Sequence, residues 1–106
     1  MPQAVSLLAH RVGRPVFCTL GDQGVCVADG HGEPANVPAY PVRGPIDIVG
    51  AGDSTSAGIA CAVAAGARLA EAAAFGNLVA SITIQQIGTT GTASPEQVRR
   101  RWQEVK

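Results

Sequence analysis

The sequence predicts an α/β domain, and three observations carry that expectation. Val16-Phe17-Cys18-Thr19-Leu20 and Val25-Cys26-Val27-Ala28 are short apolar runs on either side of Gly21-Asp22-Gln23-Gly24, the pattern of a β-hairpin. Longer stretches with helical spacing lie before and after it. Alanine and valine supply most of the 46% hydrophobic fraction, and only four residues are aromatic (Phe17, Tyr40, Phe75 and Trp102). Side chains that small suit helices packed closely on a sheet. A chain of 106 residues makes at most one domain, with a modest core.

The elements follow in order. Residues 4–12 read as an amphipathic helix with Leu7, Leu8 and Val12 on one face, stopped by Gly13 and Pro15. The run at 16–20 is continuous and apolar, as in a strand covered on both faces. After the 25–28 strand and the turn Asp29-Gly30-His31-Gly32, two prolines demote residues 37–42 to an edge strand or extended segment. The loop Arg43-Gly44-Pro45 leads to an acidic glycine turn. A small-residue helix runs from Asp53 to about Ala65, with Gly66 in the C′ position. Residues 69–86 form a helix apolar nearly all round, hence buried. After the loop at 88–92, Ser94, Pro95 and Gln97 open a last helix with a capping box.

Composition excludes several classes of function. Eight Lys+Arg balance eight Asp+Glu, so no long-range field for nucleic acid or an anionic membrane is implied. Arg99-Arg100-Arg101 is flanked by Glu96 and Glu104, which reads as a solvated helix face. Cys18, Cys26 and Cys61 lack metal-ligand spacing and read as reduced, buried thiols. His10 and His31 read as surface residues. No apolar run reaches the roughly 20 residues of a membrane span, and the N-terminus carries no signal-peptide pattern. The expected location is the cytoplasm.

Chemistry concentrates at Asp47-Ile48-Val49-Gly50-Ala51-Gly52-Asp53. Gly50 and Gly52 allow close backbone approach, and the following helix terminus offers free N–H groups and a positive dipole end to an anion. Asp53 has two readings in isolation, a helix cap or a base toward a bound hydroxyl. A P-loop is excluded because Asp53-Ser54 stands where Lys-Ser/Thr is needed. A dinucleotide fingerprint is disfavoured because Thr55 occupies its third glycine position, and Glu71 lies on a helix rather than at a strand end.

The pattern Asp47-x-x-Gly50-Ala51-Gly52-Asp53-x-x-x-Ala57-Gly58 resembles the C-terminal signature of the ribokinase-like (PfkB) carbohydrate kinases. Thr19-Leu20-Gly21-Asp22-Gln23-Gly24 is similar to that family's strand and turn beside the nucleotide. Phe75-Gly76-Asn77-Leu78-Val79-Ala80 resembles its buried helix with an asparagine near the adenine. The run from Gln86 to Pro95 looks like the heptose-phosphate kinase branch. The likeness extends from about Arg14 to the C-terminus.

The resemblance implies the C-terminal portion of a three-layer α/β/α fold, with a short sheet, a hairpin and three to four helices. Residues 1–106 would be the nucleotide-binding segment of an ATP-dependent kinase acting on a sugar or sugar phosphate. By it, Asp53 is the base, and the amides of Gly50, Ala51 and Gly52 form the anion hole. Gly21, Gly24 and Asn77 line the nucleotide pocket. Mg2+ would travel with ATP. Some members hold a monovalent cation such as K+ nearby, and Asp47 with carbonyls near Val49, Thr83 and Gly88 would be its counterparts.

This chain departs from the family in having Ile48-Val49 where Thr-Thr is common, and Ser54-Thr55 where Ala-Phe is common. The family's sugar-binding lid and first glycine-rich signature do not occur in these residues. The chain is therefore expected to be inactive alone and to associate through uncovered edges, as a homodimer or by strand exchange. A nucleotide-binding or regulatory module without catalysis is the competing expectation, and a structural domain whose glycine turn is only a cap is a third.

Overall fold

Apolar alternation on a three-stranded sheet organises the computed structural model, which describes residues 2–89 and 91–106. Met1 and Thr90, the latter in the loop expected at 88–92, lie outside the described residues. Helix α1 (Pro2–Val12) precedes strands β1 (Val16–Thr19), β2 (Val25–Ala28) and β3 (Ala35–Val37). Helices α2 (Ala51–Ala64), α3 (Leu69–Thr83) and α4 (Pro95–Val105) follow. The strands are antiparallel in the order β1-β2-β3, with Cys18 opposite Cys26 and Val25 opposite Val37.

Strand β2 is buried throughout because helices cover both faces of the sheet. Cys26 and Ala28 pack with Val5 and Ala9 of α1. Val25, on the other face, packs with Ile59 of α2 and with Ala72 and Ala73 of α3. These are the three layers that the sequence predicted. Strand β1 is less covered than expected, with three half-buried residues and an exposed Thr19. It has one partner strand among the described residues, which leaves its outer edge unpaired.

The hairpin turn is a single 3₁₀ turn, Gly21–Gln23, closed by the Leu20 N–H donating to the Gly24 carbonyl at 2.8 Å. Gly24 is required twice over. Its φ is +93°, and a Cβ there would overlap the Val37 carbonyl oxygen. The third strand lies earlier than the segment expected at 37–42. Pro38 has no N–H to continue the ladder, so pairing stops at Val37.

Helices α2 and α3 run side by side, and glycine lets them approach to backbone contact. A Cβ on Gly76 would stand 2.7 Å from both the Ile59 side chain and the Thr55 carbonyl. One on Gly58 would stand 3.0 Å from the Gly76 Cα. Replacing Gly76 would therefore overpack the crossing.

Two helices differ from their expected outlines. Helix α3 ends at Thr83 rather than Gln86, because Asp47 recruits the Ile84 carbonyl through its own N–H at 2.7 Å. Helix α1 buries Val5 and Ala9, while Leu7, Leu8 and Val12 are 72%, 50% and 52% exposed. On this face Cys26 and Ala28, flanked by the half-buried Val16, Cys18 and Leu20, form a narrow apolar stripe, and Val5 and Ala9 fill it at one residue per helical turn. Of the cysteines, Cys26 is buried and Cys18 half-buried, but Cys61 is exposed on the outer side of α2. His10 and His31 are exposed, as expected.

Candidate functional site

Helix α2 starts without a side-chain cap. Its N-cap is Gly50, held in the left-handed region at φ +83°, so the backbone turns sharply into the helix. The Ala51 N–H donates to the Ile48 carbonyl at 3.0 Å, and Ser54 N–H makes the first helical bond, to Gly50. Among the described residues, the N–H groups of Gly52 and Asp53 have no acceptor. A Cβ on Gly52 or Gly50 would meet nothing within 4 Å, so the space above this terminus is open.

Asp53 occupies the third helical position rather than the cap. Its carboxylate is exposed and accepts no hydrogen bond among the described residues, so the capping reading lapses. Ser54, beside it, is tied to α3 by the Thr83 hydroxyl, which donates to Ser54 Oγ at 3.0 Å. The same hydroxyl lies 3.2 Å from the Ala80 carbonyl, and when its single proton goes there the Ser54 hydroxyl donates to Thr83 instead. The buried threonine thus steadies the turn that carries Asp53.

Asp47 ties the approaching loop to the end of α3. Its Oδ1 accepts the Val49 N–H at 3.0 Å and its Oδ2 accepts the Gly88 N–H at 2.9 Å. The bond from Gly88, and then that from Val49, holds the carboxyl below the usual carboxylate range. It is therefore ionised near neutral pH, and it lacks an ion-pair partner among the described residues. The residues expected around a monovalent cation are thus drawn together in part. Asp47, Val49 and Gly88 are joined by N–H bonds, and the Thr83 carbonyl accepts the Gln86 N–H at 3.1 Å.

A cavity of about 850 Å3 opens beside the α2 terminus. Gly21 and Gly24 of the hairpin turn, Ala51 and Gly52 of α2, and Asn77 of α3 all line it. These five of the expected site residues lie around one cavity, whereas Gly50 and Asp53 do not line it. Tyr40, Pro41, Val42 and Ser81 complete a wall that the sequence did not suggest. Among the described residues no lysine or arginine lines the cavity and Asp22 does, so the local features that favour an anion are the free N–H groups and the helix dipole.

Asn77 has a second task. Its Nδ2 donates to the Val37 and Pro38 carbonyls at 3.1 and 3.0 Å, clamping the end of β3 to α3. Those donors are spent on the fold. Its Oδ1 has no donor among the described residues and is not sealed from solvent. A second groove, about 520 Å3 in volume, lies between β1 and α2 and is lined by Phe17, Ile59 and Val63 among others. It carries no charged side chain.

Arg101 is the residue that sequence reasoning missed. Arg100 makes a surface pair with Glu96 at 3.4 Å, as a solvated face should. The Arg101 side chain is only 12% exposed and reaches inward to Ser81 and Pro41. The available signal was its spacing from Val98 and Val105, which puts all three on one face of α4.

Comparison with known proteins identifies the family and the fold. Residues 2–97 match the pfkB family carbohydrate kinase. The bifunctional protein HldE of Trichlorobacter lovleyi is 32% identical over 99 residues, covering 92% of this chain and 20% of that protein. The crystal structure of adenosine kinase from Sinorhizobium meliloti superposes with a TM-score of 0.79 at 33% identity, covering 95% of this chain and 30% of that one. Arabidopsis thaliana ribokinase, solved in complex with ribose and ATP, superposes with a TM-score of 0.83 at 27% identity, covering 93% and 32%. The chain spans about a fifth of the curated relative's length and about a third of each solved kinase. A match over residues 2–97, with the ribokinase fold and the Asp47–Gly58 signature at an open helix terminus, places this chain in the pfkB family of carbohydrate kinases.

Proposed function

We propose that this chain carries the phosphoryl-transfer part of an ATP-dependent kinase acting on a hydroxyl of a sugar or sugar phosphate. One observation carries the reading. A single helical turn pairs unpartnered N–H donors at Gly52 and Asp53 with an exposed, unpartnered carboxylate on Asp53. Donors and base on one rigid element would serve one reacting centre, and phosphoryl transfer depends mainly on positioning and charge stabilisation. Asp53 would take the proton from the acceptor hydroxyl. Amides at Gly50, Gly52 and Asp53 would hold the transferring phosphoryl group, with Ala51 shaping the turn through its bond to Ile48.

The cavity suits a nucleotide. It is large enough, lies against the helix terminus and is bordered by glycines at positions 21, 24 and 52. Gly21, Gly24 and Asn77 would line the base and ribose end. Magnesium bound with ATP would neutralise phosphate charge that no cationic side chain of the cavity can meet.

The ionised, unpaired Asp47 is suited to K+ bound by backbone carbonyls near Val49, Thr83 and Gly88. The likeness of Gln86–Pro95 to the heptose-phosphate kinase branch favours a phosphorylated sugar as acceptor. No described helix is long and apolar enough to cross a membrane. For the isolated 106-residue chain, ATP binding without sugar turnover is the second reading, favoured by its covering about a third of each solved kinase.

The test is Asp53→Asn in a full-length kinase bearing these residues. Turnover should fall about 10²- to 10⁴-fold, the usual contribution of a general base, while ATP affinity stays close to wild type. A rate near wild type would remove Asp53 from the mechanism. The unpaired β1 edge and its uncharged groove also lead us to expect a homodimer or strand exchange in the isolated chain. Sedimentation should show a dimer whose population rises with concentration, and a monomer at high concentration would overturn that expectation.

A further inference from the structure

We propose that Arg101 is a positioning residue for the nucleotide cavity, holding two of its walls at their working separation from outside. The inference rests on the nucleotide reading above. Three consecutive arginines on a helix point in directions about 100° apart, so they need not share a role. Arg99 is exposed, and Arg100 makes an ion pair whose side chains are 68% and 78% exposed. Such a pair contributes little. Arg101 turns the other way, onto α3.

Its guanidinium makes three bonds. Nε donates to Ser81 Oγ at 3.0 Å, one terminal nitrogen donates to the Pro41 carbonyl at 2.6 Å, and the other to Glu104 at 3.1 Å. Ser81 and Pro41 both line the cavity, on different elements. Ser81 is itself fixed, because its hydroxyl donates to the Leu78 carbonyl at 2.7 Å while accepting from Arg101. The planar fork thus links a rigid helix to a loop, and lysine, with a single ammonium on a flexible stem, cannot span both acceptors as well.

The loop depends on that link. Strand pairing ends at Val37, where Asn77 holds the Val37 and Pro38 carbonyls. The chain is next anchored at Asp47. Between them, at 39–46, the Arg101 bond to Pro41 is the one hydrogen bond to another element among the described residues. Tyr40, Val42 and Ile46, which line the cavity, belong to this stretch. Arg101 does not line the cavity itself. Its removal should therefore weaken nucleotide binding through loosening of the 39–46 segment, and leave the transfer step intact.

The experiment uses the 106-residue chain with two readouts, calorimetric titration with Mg-ATP and limited trypsin digestion without nucleotide. Arg43, followed by Gly44, reports the segment, and Arg68 serves as the internal control. Arg101→Met should weaken ATP binding about tenfold, the size of the one charge-assisted hydrogen bond that holds Pro41. It should also speed cleavage after Arg43 relative to Arg68 by a similar factor, since local opening governs cleavage. Arg101→Lys should fall between, and Glu104→Gln should stay within about twofold of wild type because both cavity bonds remain.

Unchanged ATP affinity in Arg101→Met would overturn the role. Equal acceleration at Arg43 and Arg68 marks general destabilisation, and Arg101→Lys then decides: wild-type affinity in it overturns the role, and affinity between wild type and Arg101→Met supports it. A wild-type chain that fails to bind ATP would overturn the nucleotide reading itself, a failure seen before any variant is made.

Discussion

The N-termini of α2 and α4 are built in opposite ways. At α4 the Ser94 hydroxyl accepts the Gln97 N–H at 3.2 Å, and the Gln97 side chain accepts the Ser94 N–H at 2.7 Å. Pro95 removes a further donor from the first turn. At α2 the cap is Gly50, and among the described residues no side chain closes the turn and the N–H groups of Gly52 and Asp53 stay free. A cap there would contribute about 1 kcal/mol. The helix end that only packs is closed, and the one facing the cavity is open to a ligand. The same contrast holds for α3, where Glu71 accepts the Arg68 N–H at 2.9 Å.

The contrast can be broken or sharpened by substitution, and Gly52→Val should have the largest effect. Among the described residues nothing beyond its own helical turn lies within 4 Å of the place where its Cβ would stand, so the fold accommodates the side chain. The branched group would instead fill the space above the free N–H groups. In a full-length kinase, turnover should drop on the order of 10²-fold while the melting temperature changes little. Unchanged turnover would mean that the open terminus holds no reacting group.

Ser94→Ala should do the reverse, costing about 1 kcal/mol in chemical denaturation with turnover unaltered. A loss of activity at equal folding would show that the two termini are not so different. The smallest effect concerns Asp47. Its pKa is lowered in the folded chain, so its contribution to stability is present above the unfolded carboxylate value and is lost as pH falls through the lower folded value. Denaturation midpoints of Asp47→Asn and wild type should therefore converge in acid and separate toward neutral pH. A constant gap would show that ionisation of Asp47 does not matter to the fold.

Much of the fold is legible because it is local. The hairpin follows from two apolar runs around Gly21 and Gly24, and the start of α4 from Ser94, Pro95 and Gln97. Misreadings arise where apolar character alone had to decide. The apolar Ile84 and Ile87 extend the pattern of α3 past Thr83, but Asp47 takes the Ile84 carbonyl and ends the helix. Leu7, Leu8 and Val12 mark a face of α1, yet only Val5 and Ala9 meet the sheet. Amphipathic spacing identifies a helix without saying which residues a small sheet can cover.

The candidate site divides along the same line. Glycines at 50 and 52 beside Asp53 are readable because backbone freedom and a helix start are properties of a few neighbouring residues. That neither Gly52 nor Asp53 has an acceptor for its N–H is a statement about everything else in the fold. The bond from Gly88 to Asp47 spans 41 positions, and that from Arg101 to Pro41 spans 60. By itself the sequence determined the elements, the glycine turn and the carboxylate beside it, since these depend on dihedral preferences and short spacings. Only the tertiary structure decided which donors remain free and which arginine turns inward, because both depend on partners that chain folding brings together.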